Sequence, residues 1–432
     1  MRKPLKISIA GLGTVGTGVI ELLLKNGSEI SRKCEREIEV VAVSALNPNR
    51  DRGVDITSFQ WFDDPVAMAR EIDCDVFVEL IGGESGVAKD SCEAAILAGK
   101  SVVTANKALI AKCGTDLAFQ AEKNNLGLAF EAAVAGGIPI VKSIKEGLAG
   151  NKIAGLYGIL NGTCNYILTT MRETGRDFQE VLFEAQELGY AEADPGFDVD
   201  GIDTAHKLSI LSSLAFGNEV NFSDTYIEGI RHISALDIKF ANELGYRIKL
   251  LGIAQSSEDG VVQRVHPCML RFDSPVSHVE GVYNAIVVQG DFLGSTVYEG
   301  RGAGAGPTAS AVVADLVDLA RGMITPAFGK PASELDISNV IPIERHIGSY
   351  YIRLMVLDRP GVFADVAGVL RDEEVSMEGI LQRTRSPDES VPVVMTTHDV
   401  EEGAIRRVIN RFAEYETVVE KPRIIRIEPL LL

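Results

Sequence analysis

The chain of 432 residues is long enough for about two to four domains. Hydrophobic residues make up 46% and charged residues 24% of it, as in globular proteins that bury large cores. The net charge of −19 argues against nucleic acid or an anionic membrane as a partner, and no apolar run reaches the roughly eighteen residues of a membrane span. The N-terminus enters a strand pattern directly, without a signal peptide, so we expect a cytoplasmic protein.

Neither the cysteines nor the histidines form a transition-metal pattern. The six cysteines, at positions 34, 74, 92, 113, 164 and 268, include no CxxC pair, so we expect reduced thiols that serve mostly in packing. The six histidines include no HExxH motif and no clustered pair. A transition-metal site is therefore not expected.

Residues 1–130 alternate between strand and helix patterns. Apolar runs at 5–10, 38–45 and 74–80 predict strands, and helical patterns follow the first and the third of them. The SVVTANK run that begins at Ser101 predicts a further strand and its loop. This alternation predicts a parallel, doubly wound, Rossmann-type sheet.

Residues 131–325 follow a different pattern, which predicts an α+β catalytic and dimerisation domain. We expect a strand, a turn and a helix over LYGILNGTCNYILTTM, then an amphipathic helix over FQEVLFEAQELGY and a more buried helix at 202–217. Strand-like runs beyond position 245 predict a mixed sheet, and a glycine-rich loop enters a long helix over 300–321.

The last hundred residues predict a linker and a third domain. Residues 326–349 contain several prolines and little periodicity, as in a linker. In residues 350–432 the patterns follow the order βαββαβ, which predicts a ferredoxin-like domain. The strands are expected at 350–357, 375–383, 391–397 and 417–427, and the helices at 362–372 and 402–413.

The motif GLGTVG stands between the first strand and its helix. Its glycines, Gly11, Gly13 and Gly16, permit a tight turn and a close approach of the backbone to a pyrophosphate at the helix N-terminus. We therefore expect this loop, including Thr14 and Val15, to bind a dinucleotide. The alternative is a purely structural glycine turn.

The end of the second strand bears on the choice between NAD and NADP. An acidic residue there would bind an adenosine ribose hydroxyl, but the chain reads SALNPNRDRG, with no acid at 44–47. Arg50 and Arg52 follow closely, which favours NADP. The alternative is that both arginines are solvated loop residues.

The segment GYAEADPGFDVDGIDTAHK at 189–207 carries the strongest functional signal. Lys207 follows Asp203 by four positions, so a helix that starts near Gly201 places both on one face. A carboxylate beside a lysine suits a proton donor or acceptor, and the acidic loop could bind an ammonium group. The alternative is a solvated loop with an ordinary helical ion pair. The five acids are Glu192, Asp194, Asp198, Asp200 and Asp203.

Two further segments are candidates for binding. Lys107, in TANK, would lie at the C-terminal edge of the sheet, where it could meet a cofactor phosphate, a substrate carboxylate or a transferred proton. A surface lysine is the alternative. The segment EAAVAGGIP at 131–139 could coordinate a monovalent cation through backbone carbonyls, although from the residues alone a packed interdomain hinge is the better interpretation.

Taken together, these segments resemble the homoserine dehydrogenases over nearly the whole chain. The resemblance is carried by GLGTVG, TANKAL, EAAVAGGIPI, ILNGTCNYIL, GYAEADPGFDVDGIDTAHKLSIL and GAGAGPTASAVVADL. Residues 350–432 resemble an ACT domain, with DRPGV at 358–362. The family implies NAD(P)-dependent interconversion of L-homoserine and L-aspartate 4-semialdehyde, in threonine and methionine biosynthesis.

The resemblance also implies roles for single residues. Lys207 would be the general acid/base, and Asp203 would orient it. Lys107 would lie between nicotinamide and substrate, and Glu192 and Asp198 would bind the substrate's ammonium or hydroxyl group. A monovalent cation, Na⁺ or K⁺, would be held by Glu131, Val134, Gly136 and Ile138.

On the cofactor side, Gly304 would approach the dinucleotide. Many relatives carry an arginine near position 46, where this chain has Leu46, so Arg50 is a substitute candidate for the NADP 2′-phosphate. The loop after Glu192 reads ADPGFDVDG and departs from the commoner PDP form, but Asp194 is retained and we expect the loop shape to hold.

The ACT resemblance implies regulation by an amino acid, with L-threonine as the natural effector, in a homodimer or homotetramer. A dimerisation module without an effector is the alternative. For the whole chain, two other functions stay open: a dehydrogenase for another small amino-acid alcohol, and a non-catalytic sensor. Asp203 together with Lys207 favours an enzyme, because a binding module needs no proton donor.

Overall fold

The computed structural model describes residues 2–383 and 389–429. In these ranges the chain forms three units in sequence order, built on two large β-sheets. None of the helices in the described ranges is long and apolar enough to cross a membrane.

The first unit is a six-stranded parallel sheet with strand order 3-2-1-4-5-6, which confirms the predicted Rossmann-type arrangement. The short third strand and the helix after it were not predicted, because three residues are too few to show a period. The strands are β1 (Leu5–Ala10), β2 (Ile38–Ser44), β3 (Gln60–Phe62), β4 (Val76–Glu79), β5 (Ser101–Thr104) and β6 (Leu128–Ala129). The helices are α1 (Thr14–Cys34), α2 (Pro65–Glu71), α3 (Val87–Leu97) and α4 (Lys107–Lys123).

The reversal of strand order between β1 and β4 positions the nucleotide loop. Both strands are buried on both faces, as parallel strands between two helix layers must be. Their carboxyl ends meet at one edge, where Gly11 N–H donates to Ser44 O (2.8 Å) and the chain then turns into α1. An open crevice lies at such a switch point.

The second unit contains the predicted mixed sheet and the buried helix of the lysine segment. Its helices are α5 (Ile140–Lys142), α6 (Gly162–Thr174), α7 (Phe178–Glu187), α8 (Gly196–Val199), α9 (Ile202–Phe216), α10 (Ala235–Glu243) and α11 (Ala305–Arg321). Its strands are β7 (Ile153–Ile159), β8 (Tyr226–Ile227), β9 (Tyr246–Ser257), β10 (Gly260–Arg271), β11 (Tyr283–Gly290) and β12 (Gly294–Arg301).

Helix α11 follows the second unit in sequence but packs on the first. A Cβ on Gly18 of α1 would lie 3.1 Å from Ala305 O and 3.4 Å from Ala309 Cβ, so the two helices approach at a small-residue contact. Val312 and Leu316 of α11 are fully buried in the same core as β1. The chain thus returns to the nucleotide-binding layer after it has built the second sheet.

Apart from a two-residue strand, β16, the third unit has the predicted βαββαβ order, with its other strands arranged β17-β13-β15-β14. Its elements are β13 (Ile347–Leu357), α12 (Val362–Asp372), β14 (Met377–Leu381), β15 (Ser390–Thr397), β16 (Val400–Glu401), α13 (Glu402–Phe412) and β17 (Arg423–Ile427). Strand β17 also pairs in parallel with β10, Cys268 opposite Arg426 and Met269 opposite Ile427. The second and third units therefore share one eleven-stranded sheet.

Buried ion pairs reinforce this junction. Arg353 of β13 binds Asp237 of α10 through two bonds of 2.6 and 3.2 Å. Arg264 of β10 donates to both oxygens of Glu428, each at 3.1 Å. A buried charge is tolerated only when it is paired, so each unit leaves unmatched charges if the other is removed.

Residues 326–349 connect the units and are packed along them. Phe328 is 1% exposed and its ring lies 5.1 Å from that of Phe130. The backbone N–H groups of Ala327 and Ala332 donate to the Glu122 carboxylate at 3.3 and 2.7 Å. This connection is part of the core and does not act as a free tether.

Candidate active site

Asp203 lies between two lysine side chains that come from different units. Lys107 Nζ is 2.7 Å from its Oδ1, and Lys207 Nζ is 2.7 Å from its Oδ2. Lys107 begins α4 at the carboxyl edge of the first sheet, whereas Asp203 and Lys207 are one turn apart on α9. The three residues that the sequence singled out are therefore in direct contact.

The two lysines have pKa shifts of opposite direction. Lys207, 9% exposed at its side chain, also donates to Leu160 O at 2.7 Å. Burial, helped by the charge of Lys107 and opposed by Asp203, lowers the pKa of Lys207. Lys107 is 34% exposed; burial opposes its charge, but Asp203 and the acidic loop raise its pKa. Environments that separate the pKa values of neighbouring groups are typical of acid–base sites.

Asp203 remains ionised between the lysines. Burial alone would raise the pKa of this carboxyl group, but Lys207 and Lys107 hold it well below its usual range. The carboxylate can therefore keep both ammonium groups in position without acting as a proton acceptor itself.

Asn161 belongs to the site and was not predicted. Its Nδ2 donates to Asp198 Oδ1 (2.8 Å) and to Asp203 Oδ2 (2.9 Å), while its Oδ1 accepts the Cys164 N–H (2.7 Å) and caps α6. An Asn before a helical pattern does predict a cap. The two bonds across about forty residues of chain cannot be read from such a local pattern.

Some carboxylates of the acidic loop act at the site, and others stabilise the loop itself. Burial and nearby Asp203 raise the pKa of Asp198, against the effect of Asn161. Glu192 is exposed at the rim, and its charge contributes to the raised pKa of Lys107. In contrast, Asp194 accepts the Gly196 N–H at 3.1 Å.

Asp200 is turned away and binds Arg231 with both oxygens, one bond measuring 3.0 Å. Of the five acids, Asp198 and Asp203 therefore accept hydrogen bonds from Asn161. Glu192 acts on Lys107 through its charge.

An aromatic ring that the sequence did not suggest lies beside Lys107. Phe197, 41% exposed, lies 5.4 Å from Lys107 Nζ, within cation–π range. Its ring is also 5.5 Å from that of His206. Burial lowers the pKa of His206 to about 4, so this histidine is neutral at physiological pH.

The glycine loop forms a cleft of about 330 Å³ at the switch point of the first sheet. A Cβ on Gly11 (φ +100°) would lie 2.3 Å from Leu80 O, and one on Gly16 would lie 2.0 Å from Gly11 O. Gly13 faces open space, and α1 starts at Thr14, beside Val15, without a side-chain cap. Uncapped N–H groups above an open glycine fit a pyrophosphate.

The two candidate arginines of this cleft differ. Arg52 donates to Arg50 O (2.8 Å) and Asn47 O (2.5 Å) and lies over Trp61, so it stabilises the loop. Arg50 lines the cleft beside fully exposed Leu46, and none of the described residues binds its guanidinium. Arg50 is the arginine that is available for a ligand.

Gly304 is placed beside α1 by the packing of α11. It precedes α11 with φ +113°, and the next residue, Ala305, contacts Gly18 of α1. The glycine thus lies where the N-terminal part of α1 meets the second unit.

The cation ligands that the resemblance implies lie in residues 131–138, between β6 and α5. Glu131 accepts the N–H groups of Val141 (3.0 Å) and Lys142 (2.8 Å), and burial beside Asp315 raises its pKa to about 7. Ile138 O accepts the Ile140 N–H at 2.7 Å. The carbonyls of Val134 and Gly136 accept no hydrogen bond from the described residues, which leaves two oxygens available.

One buried group in the described ranges has potential metal ligands that the sequence did not suggest. Atoms of His266, Cys268 and Glu428 lie within 4.8 Å of one another. Arg264 already binds both Glu428 oxygens, so the carboxylate is neutralised within the protein. The group is explained by the junction between the units.

Comparisons with known proteins identify the family of the chain. Three family models match: "Homoserine dehydrogenase, NAD binding domain" at 11–131, "Homoserine dehydrogenase" at 139–317 and "ACT domain" at 350–416. The homoserine dehydrogenase of Pseudomonas aeruginosa is 47% identical, over 99% of this chain and all of that one. That of Neisseria gonorrhoeae is 43% identical over 99% of both.

Solved structures give the same result. A homoserine dehydrogenase from Thiobacillus denitrificans superposes with a TM-score of 0.92 at 42% identity, over 98% of both chains. A hyperthermophilic archaeal homoserine dehydrogenase in complex with NADPH has a TM-score of 0.63 at 28% identity, covering 75% of this chain and all of that one.

The glycine loop yields a matched pair of variants in one helix. Gly16→Ala should displace the loop, since its Cβ collides with Gly11 O, and should weaken NADPH binding at least about tenfold. Gly27→Ala, also in α1 but facing open space, should bind NADPH normally and stabilise the helix by about 0.5–1 kcal/mol. Fluorescence titration with NADPH and denaturant unfolding measure both effects. Equal NADPH affinity in the two variants contradicts this interpretation.

Proposed function

The chain belongs to the homoserine dehydrogenase family, and on that premise we propose that Lys207 is the proton donor and acceptor of its reaction. When bound, the nicotinamide supplies hydride to the aldehyde carbon of L-aspartate 4-semialdehyde or accepts it from L-homoserine. The protein has to bind the substrate and move one proton. The opposite pKa shifts of the two lysines on Asp203 support Lys207 for that task.

In the reducing direction, the substrate oxygen gains a proton as the new C–H bond forms. We assign this proton to the Lys207 ammonium: its N–H bond breaks, an O–H bond forms and a neutral amine remains. A lowered pKa makes the loss of the proton less costly. In the oxidising direction the neutral amine accepts the hydroxyl proton. Asp203 and Leu160 O hold the nitrogen in place in both forms.

Lys107 has a complementary, electrostatic role in this proposal. Its raised pKa keeps it charged, and its more exposed position allows its ammonium to reach a developing negative charge on the substrate oxygen. Asp198 and Glu192 bind the substrate ammonium. Asn161 holds Asp198 beside Asp203 and so fixes the distance between the ammonium pocket and the proton donor.

We propose NADP as the preferred dinucleotide. The supporting observations are the absence of an acid at the end of β2 and the unengaged Arg50 guanidinium in the cleft. The archaeal relative was solved in complex with NADPH. The glycine loop, Thr14 and Val15 would hold the pyrophosphate, with Gly304 opposite. NAD is the alternative, with Arg50 solvated.

A monovalent cation at the hinge is a further proposal. The free carbonyls of Val134 and Gly136, next to Glu131, could bind Na⁺ or K⁺. The site lies where the chain passes from the first to the second unit, so the cation would stabilise their relative orientation. Ile138 O, which accepts the Ile140 N–H, would bind the cation through its second lone pair.

For the ACT domain we propose an amino-acid effector, L-threonine, in a homodimer or homotetramer. Deleting residues 350–432 is a poor test, because it would expose the β10 edge and unpair Asp237 and Arg264. The effector is better tested on the full chain. A cytoplasmic location also stays a prediction.

The acid/base role predicts a specific loss in one variant. Lys207→Arg keeps the charge but stays protonated and cannot accept the hydroxyl proton, so kcat for homoserine oxidation should fall at least about 100-fold while NADPH binding is retained. Lys112→Arg, on the same helix as Lys107, is the control and should be nearly unchanged. The proposal fails if Lys207→Arg keeps the parental rate.

The pKa directions predict the pH dependence as well. Oxidation requires neutral Lys207, so its kcat/KM should rise with pH, and reduction should fall. Lys107→Met removes a charge that lowers the pKa of Lys207, so the rising limb should move to higher pH. A limb that stays in place would mean that another group titrates.

The cofactor proposal predicts a change in selectivity. Arg50→Glu should lower the ratio of kcat/KM for NADP over NAD by about 10- to 100-fold, because it repels the 2′-phosphate. Arg52→Met should affect both cofactors alike, since Arg52 binds the loop's own carbonyls. An unchanged ratio in Arg50→Glu rules out Arg50 as the phosphate ligand.

The effector proposal predicts that L-threonine lowers the initial rate of homoserine oxidation by the full chain, whereas D-threonine does not. Light scattering with and without L-threonine gives the oligomeric state in the same samples. The proposed effector is contradicted if no concentration of L-threonine lowers the initial rate.

A further inference from the structure

A short segment between α9 and α10, residues 226–231, contacts both the third unit and the acidic loop at residues 192–200, which we call the substrate loop. We call it the connector. It begins with β8, which pairs with β10 in the shared sheet, Tyr226 opposite Arg264. It ends at Arg231, which binds Asp200 of the substrate loop.

The connector packs tightly on the turn that joins Asp198 to Asp203. Ile230 N–H donates to Val199 O at 2.8 Å. A Cβ on Gly229 would lie 2.2 Å from the same oxygen, so only glycine permits this approach. Gly201, where α9 starts, faces Ile227 and the Glu228 carbonyl. A shift of the connector must therefore move the turn.

The other side of the connector is held by the third unit. The Glu228 carboxylate accepts from Arg426 Nη1 and from Tyr226 OH, both at 2.8 Å, and lies 3.2 Å from His232 Nε2. Arg426, on β17, is 3% exposed and is itself anchored by Glu402 at 2.6 and 2.5 Å. Despite burial, His232 and Arg426 lower the pKa of Glu228, so the ion pair is charged.

We propose that Glu228 is a positioning residue for substrate binding, held by Arg426 so that the connector fixes the turn between Asp198 and Asp203. The proposal rests on the substrate role of Asp198 given above. It makes the third unit a structural determinant of the substrate site, because loss of Arg426 would leave the partly buried Glu228 carboxylate, 24% exposed, without its main cation. Loss of the Glu228–Arg426 pair should weaken substrate binding and should not slow proton transfer.

The junction offers a matched control. Asp237 and Arg353 form a more deeply buried ion pair between the same two units, at 2.6 Å. Among the described residues, Asp237 bonds to Arg353, Tyr351 and Ser234, none of which belongs to the substrate loop or the connector. Breaking this pair should loosen the junction without moving the turn.

The experiment compares Glu228→Gln, Arg426→Gln and Asp237→Asn in the full chain. Glu228→Gln and Arg426→Gln should each raise KM for homoserine about tenfold, with kcat within about threefold and KM for NADP unchanged. The double variant should be little worse than either single one, because both break the same pair. Arg426→Lys should restore part of the loss. Asp237→Asn should lower the unfolding midpoint but keep the parental KM.

Two results would overturn the proposal: a parental KM in both Glu228→Gln and Arg426→Gln, or an equal rise in Asp237→Asn, which would indicate general loosening. If Glu228→Gln fails to fold, Arg426→Lys still decides, because a lysine cannot reproduce the paired guanidinium bonds and should raise KM by a smaller factor. Asp198→Asn is measured alongside. A parental KM in that variant would refute the proposed substrate role of Asp198, whereas a raised KM there with parental Glu228→Gln refutes only the connector.

Discussion

The contact on which the site depends is the carboxylate of Asp203 between Lys107 and Lys207. A buried carboxylate is costly to leave unpaired, and here one lysine from each unit supplies a cation at 2.7 Å. The pairing thus joins the nucleotide-binding unit to the second unit at the proposed site of hydride and proton transfer. It also separates the lysines chemically, because the more buried Lys207 has its pKa lowered while that of Lys107 is raised.

Paired buried charges also stabilise the junction with the ACT domain. Parallel pairing of β17 with β10 makes one continuous sheet, and the charges buried by this pairing are matched across the boundary. Such a junction transmits a displacement, since neither strand can move without breaking backbone bonds or unpairing a charge. The family assignment decides against the non-catalytic sensor, so this junction belongs to an enzyme.

The sequence predicted well wherever local patterns carry the information. The glycine spacing after β1, the one-turn spacing of Asp203 and Lys207, and the βαββαβ order were all readable and are present in the structure. The predictions stopped at features that depend on distant contacts. Neither Asn161 nor Phe197 was singled out, and Asp200 was grouped with the acids that could bind an ammonium group, although Arg231 binds it.

The sequence by itself determined the fold class, the family and the identity of the lysine–aspartate pair, because periodicity and short spacings are set by residues near one another in the chain. Only the tertiary structure decided which lysine has the lowered pKa, which of the two arginines is free for a ligand, and that the ACT domain continues the catalytic sheet. These depend on burial and on charges brought together from positions far apart, such as Glu228 and Arg426, and no local pattern records them.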